Sequence, residues 1–103
     1  MSVINITEKN YRELISRPDT TLLLDFWASW CTPCQMLSPA IEQIASRHKD
    51  VIVGRVNVDE EHELTKLLGV IFVPSLVIMK SGKIISCETG LKHAEEIAAM
   101  LEG

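Results

Sequence analysis

Two cysteines three residues apart, Cys31 and Cys34, close the stretch Asp25-Phe26-Trp27-Ala28-Ser29-Trp30-Cys31-Thr32-Pro33-Cys34. Thiols at that spacing on a first helical turn can come within the Cα separation of about 4.4–6.8 Å that a disulfide tolerates. The first would stand at a helix start, where unpaired backbone N–H groups and partial positive charge stabilise a thiolate. The chemistry this predicts is a reversible dithiol switch. The same pair is also half of a zinc site, but structural zinc takes four ligands. The other candidates, Cys87, His48, His62 and His93, are scattered singly. Pro33 stiffens the turn and lacks the N–H that a metal–thiolate knuckle would use. The expectation is therefore no metal.

Asp25 is the second informative residue. A carboxylate inside Leu22-Leu23-Leu24-Asp25-Phe26-Trp27 is poorly solvated and tends to hold its proton. It reads either as a general acid/base for the dithiol or as a strand-end residue bonded to nearby backbone. The three histidines read as solvated, and Met36, Met79 and Met100 as core packing. Asp59, Glu60, Glu61 and Glu63 read as a solvated helix start that complements its dipole. Cys87 reads as a small buried hydrophobe, although Ile84-Ile85-Ser86-Cys87 does not alternate cleanly.

Elements that could position these residues follow in order. Val3–Ile6 is a short strand, and Thr7 caps a helix carrying Tyr11, Leu14 and Ile15. Pro18 and Asp19 break the chain before Thr21–Trp27, whose consecutive leucines suit a strand covered on both faces. A helix from about Cys31 to Lys49 buries Leu37, Ile41, Ile44 and Ala45, with Pro39 kinking it. Val51–Val58 is another covered strand. Asp59 or Glu60 then opens a short helix carrying Leu64, Leu67 and Leu68, which Gly69 closes in a left-handed conformation. Ser75–Lys80 and Lys83–Thr89 flank a Ser81-Gly82 hairpin turn. A last helix, about Lys92–Leu101, buries Ile97, Met100 and Leu101. The order β-α-β-α-β-α-β-β-α predicts an α/β fold with a central mixed, mainly parallel sheet flanked by helices. Chemistry in such sheets sits beyond the carboxyl ends of strands, where the cysteine pair falls.

At 103 residues, 47% of them hydrophobic, the chain is expected to form a single domain over 1–103. A net charge of −4 argues against nucleic acid as a partner. Three cysteines, an odd number, fit a reducing compartment with one reactive pair. The N-terminus carries no basic region followed by an apolar core, and no run reaches membrane-span length. These features predict a soluble cytoplasmic protein with no membrane association.

With element order and motif together, the chain resembles the thioredoxin family over essentially its full length. The matching pieces are Asp25-Phe26-Trp27-Ala28, Trp30-Cys31, Pro33-Cys34, Pro39, Val56-Asn57-Val58-Asp59, Val73-Pro74-Ser75, Gly82 and Gly90. The resemblance implies a thioredoxin fold and a monomeric protein-disulfide reductase. Cys31 would be the attacking thiolate, Cys34 the resolving thiol and Asp25 the buried acid/base. It also implies a cis peptide before Pro74. A substrate groove would involve Trp30, Thr32, Pro33, Phe72, Val73, Pro74 and Gly90. No cofactor would be bound: electrons would come from NADPH through a flavin enzyme, thioredoxin reductase, and pass to disulfide-containing proteins. Two other readings of the same chain are an oxidant or isomerase, and a non-catalytic binding module.

Some positions depart from the family pattern. Thr32 replaces a usual Gly, Gln35 stands where Lys or Arg is common, and Arg55 replaces a familiar Lys. Arg does not deprotonate, so it can stabilise charge near Asp25 without relaying a proton. Ile71-Phe72 is bulkier and more apolar than the residues expected there. These departures bear on potential and partner choice.

Overall fold

Leu22, Leu23 and Leu24 are all buried, although successive side chains on a strand point to opposite faces. The computed structural model, which describes residues 3–102, explains why. Their strand is central, and helices cover the sheet on both sides. The elements are β1 (Ile4–Asn5), α1 (Glu8–Ile15), β2 (Thr21–Trp27), α2 (Thr32–Arg47), β3 (Val51–Asn57), α3 (His62–Leu67), β4 (Ser75–Lys80), β5 (Lys83–Thr89) and α4 (Ala94–Glu102). The five strands lie in the order β1-β3-β2-β4-β5. β1 and β2 pair with β3 in parallel, whereas β4 runs antiparallel to both β2 and β5.

One face of the sheet packs Leu22, Leu24, Phe26 and Val77 against Tyr11 and Leu14 of α1 and Leu64 of α3. The opposite face packs Leu23, Val53, Leu76 and Ile78 against α2 and α4. Helix α1 starts with a capping box: Thr7 Oγ1 accepts from Asn10 N–H while Asn10 Oδ1 accepts from Thr7 N–H. At the β4–β5 hairpin, Ser81 and Gly82 have φ of 50° and 80°, the two positive values a type I′ turn requires. Gly69 closes α3 with φ of 70°, as expected of a left-handed cap. No helix among the described residues is long and apolar enough to cross a membrane.

Several expectations need correcting. α3 begins at His62, not Asp59 or Glu60, because Asn57 Oδ1 first takes the N–H groups of Asp59 and Glu60 into a turn. Met36 is exposed, since it precedes Leu37 by one residue and so lies off the buried stripe of α2. Met79 is buried as expected, and Met100 half-buried. Cys87 is an exposed free thiol and not a core residue. It lies on β5, the sheet edge, whose residues are almost all exposed. The register passes from Ile78↔Ser86 to Met79↔Ile84, so Ile85 is an extra residue that breaks the alternation.

Gly54 of β3 lies where Ile6, itself buried, crosses close to the backbone, and a Cβ there would overlap the Ile6 side chain. Gly54→Ala should therefore destabilise the fold by about 1–3 kcal/mol through overpacking. Thermal unfolding followed by circular dichroism would show this as a lowered Tm.

Candidate active site

β2 ends at Trp27, and the chain turns through Ala28–Trp30 to enter α2. Cys31 is the N-cap of this 16-residue helix, with extended backbone (φ −99°, ψ 104°). Its Sγ accepts the N–H of Cys34 at 3.2 Å. That bond uses one of the donors a helix start leaves unpaired, and Pro33 has no N–H to leave over. Cys31 and Cys34 form a disulfide with Cα atoms 5.3 Å apart. Cys34 is fully buried, whereas Cys31 retains 5% exposure. Thr32 and Pro33 between them are exposed. Gln35 donates to the Ser29 carbonyl, tying the turn to the first turn of the helix.

Below the pair, Ala28, Trp27, Val58 and Val73 pack around the two sulfurs. Val73 belongs to a wall built by the start of β4, which lies beside the end of β2 through the pairing Phe26↔Ser75. The Val73–Pro74 peptide is cis, as the resemblance implies. Gly90, at φ 97°, donates its N–H to the Pro74 carbonyl at 2.9 Å, so the end of β5 fixes this turn. The side chain of Ser75, a buried residue, donates to the Phe72 carbonyl.

Asp25 is fully buried on β2, directly opposite Arg55 of β3. Arg55 Nε donates to Asp25 Oδ2 at 3.1 Å, and the guanidinium lies 4.7 Å from the centre of the Trp27 ring. The other carboxylate oxygen, Oδ1, is buried with no hydrogen-bond partner among the described residues. Burial pushes the Asp25 pKa up to about 6, even though the charge of Arg55 and its hydrogen bond oppose the shift. The carboxyl thus titrates near neutrality, where a group can both take and return a proton.

Trp30 is 68% exposed, yet its indole N–H is held by Asp59 Oδ2 at 2.9 Å. Asp59 is therefore more than part of a solvated helix start. The chain beyond β3 returns to the same end of the sheet as the cysteines, and only the strand order reveals that. The acidic cluster has a second use. Glu8 Oε2 accepts from the N–H groups of Glu63 and Leu64, and Glu61 Oε1 accepts from Glu8 N–H, so α1 and α3 cap one another. Ile71 and Phe72 are 83% and 67% exposed beside the wall. Trp30, Phe72, Val73, Pro74 and Gly90 thus gather with the cysteine pair at one end of the sheet. His62 and His93 are exposed, and His48 caps the far end of α2.

The thioredoxin family model matches residues 2–103. A thioredoxin of Alicyclobacillus acidocaldarius is 36% identical over 101 residues, covering 97% of this chain and 95% of its own. One from Chlorobaculum thiosulfatiphilum is 37% identical over 97 residues, covering 93% and 90% respectively. Among solved structures, a mutant thioredoxin from Halobacterium salinarum NRC-1 superposes with a TM-score of 0.90 at 31% identity, covering 98% of this chain and 88% of that one. Spinach chloroplast thioredoxin f in its short form gives 0.87 at 26% identity, with 98% and 92% covered. Sequence, fold and the buried disulfide at a helix start agree: the chain belongs to the thioredoxin family and is a thiol–disulfide oxidoreductase that reduces protein disulfides.

Proposed function

We propose that the chain is a general cytoplasmic electron donor to protein disulfides, acting as a monomer and recharged by thioredoxin reductase with electrons from NADPH. The observation that carries this reading is the pairing of a helix-capping Cys31 with a fully buried Cys34, at the start of the helix that follows the strand holding a titratable, buried Asp25. In the reduced protein, the Cys31 thiolate attacks one sulfur of the substrate disulfide. The other substrate sulfur leaves as a thiolate and takes a proton from solvent. Cys34 gives its proton to Asp25, and its thiolate attacks Cys31 Sγ, releasing the second substrate sulfur as a thiolate, which is protonated as Asp25 gives that proton up again. The substrate gains two electrons and two protons, and the pair ends as the Cys31–Cys34 disulfide. The chain itself needs no bound cofactor, since the electrons pass between sulfurs.

An exposed free thiol at Cys87 suits a reducing compartment. The bulge and Lys83 on the edge strand β5 discourage strand pairing between copies, in keeping with a monomer. The test is insulin reduction driven by NADPH and a bacterial thioredoxin reductase. Turnover that depends on all three components is expected. Failure of the dithiothreitol-reduced chain to reduce insulin would overturn the reading.

A second expectation separates the two sulfurs. Brief alkylation of the reduced protein at neutral pH should label Cys31 well before Cys34, because only Cys31 reaches the surface. Peptide mapping by mass spectrometry reads the two sites separately from Cys87. Preferential labelling of Cys34 would invert their roles.

A further inference from the structure

Two exposed aromatic side chains stand on the segments that border Cys31, and each is held from below. Trp30 is fixed through its indole N–H on Asp59. Phe72 is fixed through its backbone, since its carbonyl accepts from the Ser75 side chain and the next residue, Val73, packs against the cysteine pair. Ile71 extends the apolar surface outward at 83% exposure. Large apolar side chains left in water forgo the free energy that burial would release. A shelf of them beside a reactive sulfur is a surface open to a complementary side chain.

The segments that carry and border the shelf hold acidic charge only, and Arg55, the cation stacked on Trp27, is paired with Asp25. Segments 28–35, 58–61, 71–74 and 89–91 contain no Lys or Arg, and their charged residues are Asp59, Glu60 and Glu61. Glu61 is engaged with the start of α1, whereas Asp59 and Glu60 are exposed. Lys92, the next cation along the chain, is paired with Glu88 at 3.0 Å. A neighbouring cation on a partner would meet an unopposed acidic rim.

We infer that the preferred substrate disulfide lies in a polypeptide segment whose attacked cysteine neighbours one aromatic or large aliphatic residue and one basic residue. The apolar side chain seats against Phe72 and Ile71, and the cation faces Asp59 and Glu60. This rests on the reductase reading above and adds the substrate class to it.

The test uses cyclic peptides with one internal disulfide, identical except for two positions beside the cysteine: Phe with Arg, Phe with Glu, and Ser with Glu. Each is mixed with the pre-reduced protein, and the second-order rate constant of reduction is measured by rapid quench and mass spectrometry. The Phe/Arg peptide should react about tenfold faster than the Ser/Glu peptide, a difference of about 1.4 kcal/mol. Phe72→Ser should bring the Phe/Glu to Ser/Glu ratio close to one, and Phe72→Leu should restore most of it. Glu60→Lys should reverse the preference for Arg over Glu. Higher salt should weaken that preference in the unmodified protein. Ile84→Ser, at the far end of β5, should leave both ratios unchanged. Equal rates for the three peptides, or a ratio indifferent to Phe72→Ser, would overturn the substrate class alone. No reduction of any peptide or of a small aromatic disulfide would overturn the reductase reading and this inference with it.

Discussion

Cys34→Ser should stop turnover and leave the chain covalently joined to its targets. Cys31 keeps what makes it an attacking group: the N-cap position, its share of surface, and the backbone N–H of residue 34 pointing at its sulfur. None of these depends on the side chain at 34. The first exchange therefore proceeds. The second cannot, because a serine hydroxyl is not ionised near neutrality and forms no disulfide. The mixed disulfide persists, since Cys34 is the thiol built into the buried floor of the site. Steady-state insulin reduction should fall on the order of a thousandfold or more. Non-reducing electrophoresis should show adducts that dithiothreitol releases, and mass spectrometry should place them on Cys31. Cys31→Ser should be equally inactive yet form no adducts at Cys34. Adducts through Cys34 in that variant would refute the order of attack.

Much of this arrangement was legible in the sequence, for local reasons. The consecutive leucines of β2, the Ser81-Gly82 turn and the apolar stripe of α2 depend on neighbours in the chain, and their elements lie where expected. Trp30, Cys31 and Cys34 are contiguous with the end of a strand, so their gathering needed no long-range knowledge. What remained hidden depends on how distant segments meet. Asp59 reads as one of several acids until the strand order brings the end of β3 beside the turn that carries Trp30. The side to which Cys87 points was illegible because Ile85 interrupts the alternation, and an edge strand has no dense cover to impose burial. The mutual capping of α1 and α3 joins Glu8 to residues more than fifty positions away. No spacing rule announces such a contact. Arg55 is intermediate: its substitution for a Lys was visible, but its place over Trp27 belongs to the fold.

Asp25→Asn should make the protein more stable above neutrality and slower in releasing substrate. In the folded protein the Asp25 pKa is raised from 3.8 to about 6, chiefly by burial. The native state therefore binds more protons than the unfolded state between these two values. Stability contributed at this site is full below the lower value and is lost as pH rises through the higher one. Above pH 7 the buried carboxylate is ionised, and Arg55 compensates only in part, through one hydrogen bond to Oδ2. Asn removes the charge, and the guanidinium left behind remains partly exposed and can be hydrated. A gain on the order of 2 kcal/mol is expected at pH 7–8, shrinking towards zero near pH 4. Chemical denaturation across that range measures it. The activity change has the opposite sign. Without a carboxylate to accept the proton of Cys34, release of substrate from the mixed disulfide should slow by about 10²-fold at neutral pH. In the unmodified protein this step should also weaken as pH falls through about 6, where Asp25 takes up its proton. The ratio of the unmodified protein's rate to that of Asp25→Asn should therefore rise with pH and level off above about 7. That ratio cancels the titration of the thiols, which both proteins share to first order. A flat ratio accompanied by higher stability would mean that Asp25 costs folding energy without moving the proton of Cys34.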